Sequence, residues 1–194
     1  MTSPPPDDLS PLLALAREGD AAAFSELMEA EQPRLMAQAL AFCGNIHLAQ
    51  DLVQETMIAA WKSLSRFDGS CRLFTWLYVL LLRQHQRSLG WFSRRWPLAT
   101  LEQQESAARH ETAAPEPAHE PDAAEAELLR AMIAALPARH REVIRLRFYA
   151  EAGEAEIAAA LGISPGTVKS RLHHALEKLR RMKEKVNRLR GSAH

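Results

Sequence analysis

The sequence predicts an all-α protein: two small helical domains joined by an extended acidic linker. Three observations lead there. Val and Ile are scattered at helical spacing, and no segment alternates with period two, so strands are not expected. The 194 residues are 47% hydrophobic, enough to build the core of one domain or of two small ones. Four of the eleven prolines (Pro97, Pro115, Pro117, Pro121) fall within 97–121, a stretch rich in Ala and Glu that shows no helical stripe. No glycine occurs between Gly90 and Gly153, and proline without glycine makes an extended, semi-stiff tether. The expected organisation is a first domain over 8–97, a linker over 98–124 and a second domain over 125–190.

In the first domain helices are expected near 9–18, 21–43, 46–66 and 71–89. The third is the clearest. Val53, Met57, Ala60, Trp61 and Leu64 form one apolar stripe, with Asp51, Glu55 and Lys62 away from it. Ser65–Ser70 reads as a turn. The run Leu73–Leu82 is the most apolar of the chain. Ten residues interrupted by Thr75 are too short to cross a bilayer, so this is a core helix, with Trp76 and Leu77 inside it.

In the second domain helices are expected near 123–135, 138–150, 154–161 and 165–189. The last two read as a helix-turn-helix. Ile157 and Leu161 are one turn apart, and Gly162 comes next, where positive φ is needed. Ile163 is placed to plug the core under the turn. Ser164 is a good N-cap and Pro165 suits the first helical position. Ala158 is small where two helices must approach. Such a unit places its second helix in the major groove of DNA. Val168, Leu172, Ala175, Leu179, Met182, Val186 and Leu189 run along that helix as a seam. Thr167, Lys169, Ser170, Arg171, His173, His174 and Lys178 are its candidate DNA contacts. The two histidines serve as phosphate donors, as plain surface residues or as pH-sensitive contacts.

Charge supports this reading only when taken in blocks. The chain has 24 basic and 24 acidic residues and no net charge. Residues 1–61 carry −7, 62–95 carry +6, 96–127 carry −7 and 128–194 carry +8. Such asymmetry points to nucleic-acid or membrane contacts. Other classes recede. Cys43 and Cys71 cannot build a disulfide scaffold and belong to no zinc spacing. The Asp/Glu, His and Cys clusters lack ligand or triad spacing, so no catalytic residue, metal or cofactor is expected. The N-terminus has no secretory pattern, so a cytoplasmic protein without membrane insertion is expected.

Two sets of residues together resemble the RNA polymerase sigma factors of bacteria. Asp51-Leu52-Val53-Gln54-Glu55, Trp61-Lys62, Phe67 and Phe74-Thr75-Trp76-Leu77 resemble their conserved region 2. Leu136-Pro137, Arg141-Glu142-Val143, Leu146-Arg147-Phe148, Glu156-Ile157-Ala158, Leu161-Gly162-Ile163-Ser164 and Gly166-Thr167-Val168-Lys169-Ser170-Arg171-Leu172 resemble region 4. The small size, with two domains and a linker, is similar to the extracytoplasmic-function (ECF) group. The resemblance implies a factor that is not an enzyme, binds core RNA polymerase and directs it to promoter DNA. It implies docking of Asp51, Gln54 and Glu55 on the β′ clamp, with the β flap as a further contact on core polymerase. It also implies a −10 element held by Arg66, Phe67, Arg72, Arg83 and Arg87, a −35 element read by the second domain, and control by a separate anti-sigma protein. The chemistry suits these roles. Acidic residues one turn apart fit a basic partner helix, and separated DNA strands are held by aromatic stacking and cations. Trp76, Tyr78, Phe74, Trp91 and Phe92, with Arg94 and Arg95, add to that supply.

One segment departs from the pattern. After Trp76-Leu77 the family continues with an Asn and, a turn later, an Asp. This chain has Arg83 and Arg87, then Gly90, which is read as an early end of the helix. The linker has a reading of its own. About 27 residues at roughly 3.1–3.3 Å each reach on the order of 85 Å, or roughly 25 base pairs, so one chain spans two promoter elements. Its acidity repels DNA and suits a basic channel of the polymerase. Each basic block thus coincides with a DNA-facing surface and each acidic block with a polymerase-facing one. Two alternatives remain at this point: a sigma-like decoy that binds an anti-sigma protein or polymerase without directing initiation, and a dimeric helix-turn-helix regulator using the seam of 165–189.

Overall fold

A computed structural model describes residues 10–95 and 120–191. The chain divides into two compact units, Met1–Thr112 and Ala113–His194. All regular structure among the described residues is helical. Of the linker expected over 98–124, residues 98–119 lie outside the described residues.

Unit 1 holds α1 (Ser10–Arg17), α2 (Ala21–Cys43), α3 (Ile46–Ser63), a 3₁₀ turn (Leu64–Arg66) and α4 (Leu73–Arg95). The joints are set by local chemistry. Asp20 caps α2, its Oδ1 accepting from the N–H groups of Ala22 and Ala23 at 2.8 and 3.0 Å. Gly44 ends α2 in the left-handed region at φ 62°, and Asn45 caps α3 by accepting from His47 and Leu48. α4 passes through the core. Leu73, Phe74, Thr75, Leu77, Tyr78, Val79, Leu81 and Leu82 are all buried, packed with Leu27, Leu35, Leu52, Val53 and Leu64. The apolar run Leu73–Leu82 is therefore core, as read; Trp76 is half-buried.

Two expectations shift here. α4 runs through Gly90 to Arg95 instead of ending there. Glycine keeps its N–H and weakens a helix interior by only about 1 kcal/mol relative to Ala, so it need not stop one. On α3 the buried side is Ala49, Leu52, Val53, Thr56 and Ala60, turned away from Met57 and Trp61. Thr56 joins the core because its Oγ1 donates to the Leu52 carbonyl at 2.7 Å. Trp61 remains at the rim, edge-on to Phe24 at 4.9 Å.

Unit 2 holds α5 (Glu120–Ala134), α6 (Ala138–Phe148), α7 (Glu154–Leu161) and α8 (Pro165–Gly191). α5 begins three residues before the expected 123, inside the span read as linker. Pro121 lies in its first turn, where proline's missing N–H costs nothing, so this proline opens a helix instead of marking a tether. Arg141 Nη1 donates to the Ala134 carbonyl at 2.6 Å and so satisfies the end of α5. The core is Met132, Ile133, Leu136, Val143, Ile144, Leu146, Ile157, Ala158, Val168, Leu172 and Ala175. The α7–α8 turn forms as the residues dictate. Gly162 has φ 67°, its N–H reaching Ala158 and Ala159, and Ile163 N–H closes on the Ala158 carbonyl at 3.0 Å. Ser164 Oγ accepts from Thr167 N–H at 3.2 Å. Ile163 itself is only half-buried.

Candidate nucleic-acid and partner interfaces

The α3 face is the simplest. The core side of this helix is fixed by Ala49, Leu52, Val53, Thr56 and Ala60. At 100° per residue, Asp51, Gln54 and Glu55 fall opposite it, and all three are exposed. Sequence reasoning missed what surrounds them. Leu48 and Ile58, 48% and 47% exposed, lie on the same face. The surface is therefore acidic and apolar together, suited to a partner helix with basic and apolar residues. The signal was present as apolar residues out of phase with the stripe.

The five residues expected at a separated DNA strand are not equivalent. Arg66 is exposed on the 3₁₀ turn. Phe67 is a correction: it is 3% exposed, tilted against Trp76 at 5.1 Å, and has no ring face to offer a base. Its backbone turns inward because Leu64 on one side and Leu73 on the other anchor the loop in the core. The loop tip is Asp68–Ser70, where Asp68 Oδ1 accepts from Ser70 N–H at 2.9 Å; these bonds from Ser70 hold the Asp68 carboxyl below the usual range. Arg72 is exposed at the start of α4, with Glu31 within its electrostatic reach. Arg83 and Arg87 are exposed one turn apart where α4 leaves the core, and Arg87 Nη1 donates to Gln84 Oε1 at 3.5 Å. The side chains of Trp91, Phe92, Arg94 and Arg95 lie outside the described residues.

Under this loop sits a buried carboxylate. Glu31 of α2 is 4% exposed, with Arg34 Nη1 at 3.9 Å. The Arg34 guanidinium in turn lies 3.7 Å over the ring of Phe74. Burial pushes the Glu31 carboxyl up, and Arg34 and then Arg72 pull against it. This joint ties α2 to the base of α4.

On α8, Lys169, Ser170, His173, His174 and Lys178 are exposed, while Thr167 and Arg171 are half-buried. The Thr167 hydroxyl lies 2.8 Å from Ser164 Oγ and so belongs to the cap. Taking Val168, Leu172 and Ala175 as the core side, Ser170, His173 and Glu177 lie opposite it around the helix, with Glu177 half-buried among its neighbours. Glu177 pairs with Arg181 and lies 3.9 Å from His174 Nδ1, so an acid sits among the expected DNA contacts. Further along, Lys183 pairs with Glu125 of α5 at 3.2 Å. Leu179, Met182 and Val186 continue the seam half-buried. Among the described residues no group of His, Cys, Asp and Glu could hold a metal ion, and no helix is long and apolar enough to cross a membrane.

Comparison with known proteins gives each unit its own match. The family model for Sigma-70 region 2 matches residues 27–92, and that for Sigma-70, region 4 matches residues 126–179. RNA polymerase sigma factor CarQ of Myxococcus xanthus is 30% identical over 175 residues, covering 86% of this chain and 92% of its own length. ECF RNA polymerase sigma factor SigL of Mycobacterium tuberculosis is 32% identical over 173 residues, covering 85% and 91%. Among solved structures, CnrH in complex with the cytosolic domain of CnrY is similar with a TM-score of 0.58 and 26% identity, over 90% of this chain and 96% of that one. The sigma factor RpoE of Bartonella quintana, in complex with the anti-sigma factor NepR, is similar with a TM-score of 0.55 and 26% identity, over 83% and 96%.

Proposed function

The chain belongs to the ECF RNA polymerase sigma factors, and on that premise we infer a transcription initiation factor that binds core RNA polymerase and directs it to promoters. One observation carries the reading: the two matched regions fall in sigma order, one on each compact unit. Each unit also exposes polar side chains on the helix that the role requires, α3 in one and α8 in the other.

Each surface takes one role. Asp51, Gln54 and Glu55, with Leu48 and Ile58 beside them, dock on the β′ clamp. Arg66, Arg72, Arg83 and Arg87 track the phosphates of the −10 strand, and Phe67 supports the loop from the core. Lys169, Ser170, Arg171, His173, His174 and Lys178 meet the −35 duplex, with Thr167 holding the helix start, and unit 2 also meets the β flap. We assign clamp docking and the −10 element to 8–97, the −35 element to 125–190 with α5 reaching back to Glu120, and a tether to the residues between. The chemistry of RNA synthesis is the polymerase's, so this chain supplies recognition and acts where the polymerase is, in the cytoplasm. Both solved relatives were captured with a partner chain, the second an anti-sigma factor, which favours a separate anti-sigma protein here too. Val168, Leu172 and Ala175 are spent on packing within unit 2, which disfavours α8 as a dimer seam.

The test is initiation with purified core polymerase on fragments of the source genome. Specific run-off transcripts are expected, and Arg171→Ala should weaken −35-dependent initiation by about 1–3 kcal/mol in binding terms; a loss uniform across promoter sequences would mark Arg171 as a phosphate contact. Core binding without any transcript would instead identify a decoy.

A further inference from the structure

Thr167, Arg171, His174 and Lys178 stand at i, i+4, i+7 and i+11 and share one side of α8. With Val168, Leu172 and Ala175 buried, this row is a flank, a quarter turn from Ser170, His173 and Glu177 on the side opposite the core. When a helix enters a groove its outermost residues meet base edges, and its flanks meet the sugar-phosphate walls.

α6 closes against that flank. Its His140 is 9% exposed, its ring centre lies 6.4 Å from that of His174, and its Nδ1 has no hydrogen-bond partner. His140 stands in the first turn of α6. The N-cap there is Pro137, which supplies no side-chain cap, so the positive pole of the helix lies beside the row. Burial first, then Lys178, Arg139, the neighbouring His174 and Arg171, hold the His140 imidazole below the usual histidine range. No carboxylate is among these influences. Glu177 lies 3.9 Å from His174 and is also held by Arg181. Three cations from two helices, Lys178, Arg139 and Arg171, thus surround a buried imidazole whose Nδ1 has no partner, with Glu177 at the edge beside His174.

We propose that Arg171, His174 and Lys178, backed by His140, form a seat for one backbone phosphate of duplex DNA, and that filling the seat draws a proton onto His140. The proposal rests on the reading of α8 as the DNA-reading helix. The sign is set by linkage. In the free protein the neutral imidazole prevails, because burial and cations disfavour its charge. A phosphate reverses that balance, so the complex binds more protons than its parts. Affinity then rises as pH falls through the histidine range of the complex, and levels off below that of the free protein.

The experiment uses the full chain and a short duplex carrying the −35 sequence it selects from a randomised pool. Affinity is measured from about pH 8 to about pH 6 at fixed ionic strength. Wild type should tighten by about three- to tenfold per pH unit at the steepest interval, the limit for one proton being tenfold. His140→Gln and His174→Gln should each flatten the slope; the second lies on the exposed surface and keeps the test open if the first disturbs folding. Inorganic phosphate at matched ionic strength should leave the His140 and His174 proton resonances nearly unmoved, whereas the duplex shifts them. A full shift with phosphate alone overturns DNA as the occupant. Selective binding that is flat with pH, or a slope unchanged in both variants, overturns the seat. Absence of sequence-selective binding at every pH overturns instead the assignment of α8.

Discussion

Glu151 has a φ of 54°, in the left-handed region, between the buried Ala150 and Ala152. Arg147 Nη1 donates to the Ala152 carbonyl at 3.1 Å and closes the turn into α7. A side chain in this conformation costs about 1 kcal/mol. Glu151→Gly should raise the stability of unit 2 by about 0.5–1 kcal/mol in urea unfolding, and a loss would mean that the Glu151 side chain offsets the strain. Glu31 makes a different kind of prediction. Its folded-state pKa is raised, so the folded chain holds this proton more tightly than the unfolded one. Its contribution is fully present below the ordinary carboxyl range and is lost as pH rises through the folded value. Urea unfolding at several pH values should show that slope in wild type and not in Glu31→Gln; identical slopes would contradict it. Neither feature is visible in sequence. Glu151 is one of many glutamates, and Glu31 is one of five acids between Glu18 and Glu31. What singles each out is the backbone angle or burial that its neighbours impose.

At the scale of elements, glycine shows where local reading succeeds and where it stops. Gly162 and Gly90 both come after apolar helical residues. Gly162 adopts φ 67° and ends α7, while α4 continues through Gly90. The difference lies in the residues C-terminal to each glycine. Ile163-Ser164-Pro165 carries a cap and a proline that start a new helix, whereas Trp91-Phe92 carries neither. A Cβ at Gly162 would meet nothing within 4 Å, so Gly162→Ala tests the backbone alone. It should cost about 1 kcal/mol in unfolding and weaken DNA binding by loosening the turn. No effect on stability would show that the angle can relax. The helices themselves were legible from periodicity, yet the facing of α3 was read off by part of a turn. Its stripe was drawn through Met57 and Trp61, where packing chose Leu52 and Thr56. Thr56 looks polar in sequence, and only the 2.7 Å bond to the Leu52 carbonyl makes its burial tolerable.

For the whole molecule, the balance of charge is the property that matters. A net charge of zero is assembled from blocks of −7, +6, −7 and +8. A factor that meets both DNA and a DNA-binding enzyme needs both signs, and an acidic stretch of sequence between two basic blocks is itself repelled by the duplex. Replacing the acids of 102–116 with Gln and Ser, which leaves α5 intact, should weaken core binding or initiation, measured by competition for core polymerase and by run-off yield. Unchanged activity in both would remove any role for that charge.

Sequence alone determined the helical class, the order of the helices, the turn between α7 and α8, and the sigma resemblance. Each of these rests on neighbours within a few residues: caps, glycine at positive φ, helical spacing and short motifs. Tertiary structure decided which faces are available. Phe67 is aromatic and beside arginines, but the anchors at Leu64 and Leu73 turn it into the core. Leu48 and Ile58 are apolar, but the core of unit 1 closes without them and leaves them beside Asp51 and Glu55. His140 lies 34 positions before His174, and only the packing of α6 on α8 brings the two rings together under the row of cations. Burial and long-range juxtaposition depend on contacts that no local pattern encodes, and in this protein those contacts decide which side chains can meet DNA or polymerase.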